Sequence, residues 1–247
     1  LTLDEDLAKI IASANARFEA GGRFVDGEAP APSSQDLNAE RLERRAKAMA
    51  ANGWERRVLA LVTGKASTAY EETRASAYLN AMRSVDTDDG GIVVLAGNVG
   101  SGKTAAAARW SYTRTRNAPR FLRSSEFFRS SRYLRDDAGD SVRDDLLRQQ
   151  ALVLDDVGAE YADANGNYRV DLDELIDRFY ADRRVLVMTT NIAYATPEQR
   201  ERAKASGVAV DENAATFVDR YGERVTDRLR ECGRWVDAAT ASMRRRS

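Results

Sequence analysis

The sequence predicts an α/β fold, a parallel sheet covered by helices and preceded by a small helical segment. Three observations carry this expectation. Short apolar runs of strand length recur from residue 92 onward, beginning with Ile92-Val93-Val94-Leu95-Ala96. Segments of helical pattern separate them, as Leu172–Tyr180 separates Ala151–Leu154 from Val185–Met188. The first run leads directly into a glycine-rich loop and then a helical stretch, Ala105–Trp110. Runs that are apolar throughout suit strands buried on both faces, which is the habit of parallel sheets.

Taken in order, residues 4–20 read as an amphipathic helix with Leu7, Ile10, Ile11, Ala14 and Phe18 on one side, ended by Gly21-Gly22. Pro30, Pro32 and Ser33-Ser34 mark a linker reaching Gln35. A charged helix follows over 36–51, and Asn52-Gly53 stops it. The expected division is therefore a helical extension, 1–53, and a main domain, 54–247. Strands are expected at Ile92–Ala96, around Phe121-Leu122, at Ala151–Leu154, at Val185–Met188 and, more weakly, at Arg234–Val236. Helices are expected over Glu126–Arg135 and Leu172–Tyr180. Thr196-Pro197-Glu198-Gln199 supplies a helix start, with Thr as N-cap, Pro in the first turn and Gln three residues after the cap.

Composition narrows the chemistry. The 247 residues are 43% hydrophobic and 31% charged, ordinary for a chain with a real core. No apolar run approaches the roughly 20 residues of a membrane span, and Leu1–Asp6 show no signal-peptide pattern. One cysteine, Cys232, cannot form an internal disulfide, so a reducing cytoplasm is expected. The absence of histidine excludes imidazole acid–base chemistry and His-ligated zinc. Carboxylates, Lys, Arg, hydroxyls, backbone amides or a hard metal ion must do any catalysis.

Gly97-Asn98-Val99-Gly100-Ser101-Gly102-Lys103-Thr104 fits G-x-x-x-x-G-K-[ST] between a strand and a helix. Glycines let the backbone wrap so that its N–H groups converge on phosphate oxygens, and the helix N-terminus adds its dipole. Lys103 would neutralise the β- and γ-phosphates, and the Thr104 hydroxyl would ligate Mg²⁺. Such a loop needs an acid from a neighbouring strand end. Leu152-Val153-Leu154-Asp155-Asp156 supplies two: Asp155 for the metal side and Asp156 to polarise the attacking water. The fourth strand ends Thr189-Thr190-Asn191, and Asn191 would hold that water and sense the γ-phosphate.

These motifs together resemble the AAA+ ATPases, and more narrowly the DnaC/IstB-type helicase loaders and transposition ATPases. The resemblance runs over about 54–247 and includes Leu154–Tyr161, Arg220–Leu229 and the closing Ala241–Arg244. It implies that Asn191 is sensor 1 and that Asp156 stands where many relatives have Glu, the shorter acid slowing hydrolysis until a partner assists. It places Arg228, and with it Arg224, at the arginine-finger position that acts on the ATP of the next subunit of a homo-oligomer. Read from the residues alone, the same pair is an i,i+4 surface couple with Glu223 and Asp227 as salt-bridge partners. Fewer than 20 residues follow Arg228, too few for a C-terminal helical lid. Arg244 would then substitute as a sensor on its own subunit's ATP, or be part of a solvated tail.

Eight arginines against one acid, Glu126, fall between Arg109 and Arg135. The resemblance turns this region toward the assembly's central channel. Arg123, Arg129, Arg132 and Arg135 are the candidate contacts to single-stranded DNA, with Phe127 and Phe128 as core rather than stacking platforms. Asp163–Glu174 has the spacing of a calcium loop, but Tyr168 occupies the turn position that needs Gly, so it reads as an acidic surface loop leading into a helix. The favoured function is an Mg-ATP-dependent loader of a replicative helicase, with 1–53 docking the partner. The alternatives are an IstB-like transposition ATPase that binds duplex DNA and a transposase, a monomeric P-loop small-molecule kinase, and a nucleotide switch with little turnover.

Overall fold

Five parallel strands form the sheet, in the order β2-β3-β4-β1-β5. They are β1 (Gly91–Ala96), β2 (Arg120–Arg123), β3 (Ala151–Val157), β4 (Val185–Thr190) and β5 (Gly233–Asp237). The computed structural model describes residues 34–63, 76–85, 90–115, 117–133, 142–159, 167–207, 210 and 215–237. The expected helix over 4–20, together with Arg135 and Arg244, lies outside them. The chain divides into two compact units, Leu1–Glu40 and Arg41–Ser247, and of the first only 34–40 are described.

The α/β expectation holds, with every strand pair parallel. Successive strand residues face opposite sides of the sheet, so each strand feeds two cores. Ile92, Val94, Leu152, Leu154, Leu186 and Met188 meet Phe127 and Phe128 of α5 (Ser124–Tyr133) and Leu146 of α6 (Val142–Leu147). The same core takes in Leu172, Leu175, Ile176 and Phe179 of α7 (Asn167–Ala181) and Val225 and Leu229 of α10 (Glu223–Cys232). On the other face Val93, Leu95, Val153 and Val187 meet Met49 of α1 (Ser34–Ala51), Val58 and Val62 of α2 (Arg56–Thr63) and Met82 of α3 (Ser76–Arg83). Ala106–Ala108 and Trp110 of α4 (Lys103–Thr113) complete it. The alanine run lets α4 lie close on the sheet.

Several boundaries differ from the expectation for identifiable reasons. The residue Asn167 already begins α7, so eight of the twelve residues of Asp163–Glu174, the stretch read as a loop leading into a helix, are helical, fixed by burial of Tyr168, Leu172 and Leu175 at helical spacing. Helix α1 starts at Ser34, inside the expected linker. The expected 53/54 division falls inside the second unit, because the end of α1 packs there. Met49 is fully buried, and Arg45 donates to Ser111 O in the last turn of α4 at 2.9 Å and to Thr115 just beyond that helix. In α8 (Pro197–Ala205) Thr196 caps as expected, accepting from Gln199 N–H, while the Gln199 side chain accepts from Ala195 N–H. Before α9 (Phe217–Tyr221), Thr216 and Asp219 form a capping box that the sequence reading did not anticipate. No helix among the described residues is long and apolar enough to cross a membrane.

Candidate functional site

The glycine-rich loop leaves β1 at Ala96 and turns into α4. Its Gly97, Gly100 and Gly102 have φ values of 142°, 80° and 98°, a region where a side chain would be strained. Lys103 opens the helix and is almost wholly buried. Its Nζ donates to Gly97 O at 2.7 Å, Asn98 O at 2.9 Å and Asn191 Oδ1 at 3.0 Å. An ammonium held by exchangeable carbonyls inside a ring of amides is matched to an anion that can displace them.

Strand order decides how the acids meet this loop. The strand carrying them, β3, does not neighbour β1 as the sequence reading supposed; β4 lies between. The contact is made nonetheless, because Thr104 Oγ1 donates to Asp155 Oδ1 at 2.8 Å and Thr189 Oγ1, from the intervening strand, donates to the same oxygen at 2.7 Å. Burial pushes the Asp155 carboxyl above its ordinary range, and Asp156 adds to this; the Thr189 and Thr104 hydrogen bonds and Arg123 act the other way. A buried carboxylate with hydroxyl neighbours is an oxygen donor set of the kind that hard Mg²⁺ takes, and a cation there would relieve the desolvated charge. Thr104 and Asp155 would hold it.

Asp156 is half-buried and has φ 56°, one of two non-glycine residues with positive φ among those described. Its backbone N–H donates to Thr189 Oγ1 at 3.0 Å, and its carbonyl accepts from Ser124 Oγ at 2.7 Å. Asn191 is exposed beyond β4, between the loop and the acids, as the intervening strand requires. The structure thus brings Lys103, Thr104, Asp155 and Asn191 together. Three supporting residues escaped the sequence reading. Tyr78 of α3 is fully buried and donates to Ala96 O at 2.5 Å, with Ser101 Oγ 3.3 Å away, propping the loop from beneath. Thr189 was visible as a polar residue in a buried strand. Asp237 ends β5 opposite Ala96, its carboxyl raised by desolvation and lowered by Lys103.

Two of the three arginines of α10, Arg224 and Arg228, pair with acids of a neighbouring helix. Arg224 Nε lies 2.9 Å from Asp173 Oδ2 and Arg228 Nε lies 2.7 Å from Asp177 Oδ1, both acids on α7. Asp227, one partner expected from spacing, pairs with Arg230 instead.

The arginine-rich stretch is not one strip. Arg114 follows the far end of α4 and Arg120 begins β2, whereas Arg123 ends β2 at the carboxyl edge of the sheet and Arg129 lies on α5 beyond it. Arg123 is ion-paired with Glu55 through Nη2, so its charge is already matched. Arg129 is exposed; the side chain of Arg132 is outside the described residues. Phe127 and Phe128 are buried against the sheet, as core.

Residues 39–206 match the family described as IstB-like ATP binding protein. Among solved structures, the chain is similar to the DnaC helicase loader at 20% identity, covering 65% of this chain and 85% of that one with TM-score 0.46. DnaI matches at 17% identity over 69% and 82%, TM-score 0.43. The replication initiator DnaA bound to AMPPCP and single-stranded DNA matches at 15% identity over 74% and 50%, TM-score 0.44. No curated protein matches.

Proposed function

The chain belongs to the IstB-like ATP-binding family, of DnaC/IstB-type AAA+ architecture, and from that premise we propose that it is an Mg-ATP-dependent ATPase that assembles with copies of itself and acts on DNA together with a protein partner. The observation that carries the reading is the convergence of Lys103, Thr104, Asp155 and Asn191 from three strand ends within hydrogen-bond distance. In this reading the triphosphate lies along the amides of Gly97–Thr104, with Asn98, Val99 and Ser101 contributing backbone. Lys103 exchanges the carbonyls of Gly97 and Asn98 for phosphate oxygens. Thr104 and Asp155 would hold Mg²⁺, which would supply neutralisation of the phosphate charge. Asp156 and Asn191 orient water at the γ-phosphate. Arg228, supported by Arg224, leaves its α7 acid to reach the ATP of the next subunit.

The favoured role is loading a replicative helicase, with Arg129, Arg132 and Arg135 on DNA phosphates and residues 1–53 docking the partner. Measuring ATP hydrolysis by the protein alone, with single-stranded DNA and with duplex tests this. Stimulation by single strands supports the loader. Stimulation by duplex alone favours a transposition ATPase whose partner is a transposase. ATP bound without turnover under all three conditions indicates a switch, and a chain that stays monomeric with ATP while phosphorylating a small acceptor indicates a kinase.

A further inference from the structure

Thr189 sits fully buried in β4, one residue before the strand ends. Its hydroxyl lies between the two acids of β3, donating to Asp155 Oδ1 at 2.7 Å and accepting from Asp156 N–H at 3.0 Å. A hydroxyl has one proton to give and lone pairs to receive, so both contacts are made at once.

The strand register shows what this double contact accomplishes. Residues pair regularly from Ala151↔Val185 to Leu154↔Met188, and the next pair is Val157↔Thr190. Between those pairs β3 takes three steps while β4 takes two, the signature of a bulge. Without it Asp155 and Asp156 would face opposite sides of the sheet, since strand side chains alternate. The left-handed φ at Asp156 breaks the alternation, and Ser124 Oγ fastens the other side of that residue by donating to its carbonyl at 2.7 Å.

We propose that Thr189 is a positioning residue for ATP hydrolysis, its hydroxyl holding the bulge that brings both acids of β3 into one site. This rests on the ATPase reading above. Thr189→Val keeps the shape and removes the hydroxyl; Thr189→Ser keeps the hydroxyl and removes the methyl. Thr189→Ala takes the place of the valine variant if that does not fold.

Each variant is compared with wild type by crystal structure, by affinity for a fluorescent ATP analogue in EDTA and in Mg²⁺, and by turnover. Loss of one hydrogen bond to a charged group predicts that Thr189→Val loses about tenfold or more in turnover and in the gain of affinity that Mg²⁺ brings. Its affinity in EDTA stays within about twofold of wild type, because the loop amides and Lys103 that hold the phosphates are unaltered. Its crystal structure shows Asp156 outside the left-handed region, and Thr189→Ser resembles wild type throughout. An unchanged Asp156 backbone with wild-type Mg²⁺ dependence in Thr189→Val overturns the inference, as does a serine variant as impaired as the valine one. If the wild type itself neither binds nor hydrolyses ATP, the ATPase reading fails, and the backbone at Asp156 in the valine variant still decides whether Thr189 holds the bulge.

Discussion

Arg228 is tied to Asp177 within its own chain, Nε to Oδ1 at 2.7 Å, by a pair in which both side chains are about one-third exposed. A part-exposed pair of this kind contributes about 1 kcal/mol or less, so it restrains the arginine without trapping it. If Arg228 serves the neighbouring subunit's ATP, Arg228→Ala retains nucleotide binding and loses roughly 10³-fold in turnover. Asp177→Asn, by releasing the arginine, raises turnover by up to about fivefold. Steady-state hydrolysis at concentrations that permit assembly measures both, and unchanged turnover in Arg228→Ala removes the finger assignment.

Lys103→Ala and Asn191→Ala separate binding from chemistry, because the two residues meet at 3.0 Å and serve different ends of the site. The lysine variant lacks the one cation inside the loop and is expected to lose about 100-fold or more in ATP affinity. The asparagine variant keeps affinity within about threefold and loses most of its turnover. Equilibrium titration with a fluorescent ATP analogue, followed by hydrolysis assays, tells these outcomes apart. Tight Mg-ATP binding by Lys103→Ala would contradict the phosphate-loop assignment.

The strands and the loop were legible because each is written locally. A run such as Val185–Met188 has one way to bury both faces, and Gly97–Thr104 carries its spacing in eight consecutive residues. The contacts that complete the site are not local. Asp155 meets Thr104 across an intervening strand, and that strand order is a property of the folded sheet. Thr189 and Tyr78 acquire their roles from partners 33 and 18 residues away. The acid partners of Arg224 and Arg228 lie on α7, where only the packing of α10 against it could reveal them. Likewise, charge density along the chain suggested a strip at 109–135 that the turn of the chain distributes over two edges.

The end of α1 belongs energetically to the sheet unit. Met49 is fully buried, and Arg45 holds Ser111 and Thr115 at the end of the phosphate-loop helix. Truncating a buried methionine costs about 2–5 kcal/mol, so Met49→Ala lowers unfolding stability by that amount. A chain begun at residue 54 is less stable than one begun at 41 by at least as much. Urea unfolding of the three forms measures this. Equal stability would place residues 41–53 outside the folded unit.

The capping box before α9 carries a pH signature. Thr216 donates from its N–H and its hydroxyl to Asp219 Oδ2, both at 2.8 Å, and these bonds, the backbone one foremost, lower the Asp219 pKa. A carboxyl depressed in the folded state stabilises above its unfolded pKa, and that contribution fades as pH falls through the folded value. The stability difference between wild type and Asp219→Asn is therefore constant above about pH 5 and shrinks below about pH 4. Unfolding titrations from neutral to acid pH check it, and a difference independent of pH would show that the ionised carboxylate is not what closes the box.

Asp156 separates the needs of the fold from those of the site. Its φ of 56° is a conformation that costs most L-residues about 1 kcal/mol, less for Asp, and glycine nothing. Asp156→Gly relieves that strain but adds freedom to the unfolded chain worth about 0.5–1 kcal/mol. The two nearly cancel, so its stability stays within about 0.5 kcal/mol of wild type. Asp156→Ala relieves nothing, adds the difference between alanine and aspartate in this conformation, and falls by about 0.5 kcal/mol. Turnover responds differently, because both variants remove the carboxylate proposed to orient the attacking water. Each is expected to lose about 10²-fold or more while still binding Mg-ATP through Lys103, Thr104 and Asp155. Thermal unfolding and single-turnover hydrolysis on the same preparations compare the two scales. If Asp156→Gly hydrolyses ATP at the wild-type rate, the residue is only the turn that ends β3, and the water must be held from elsewhere.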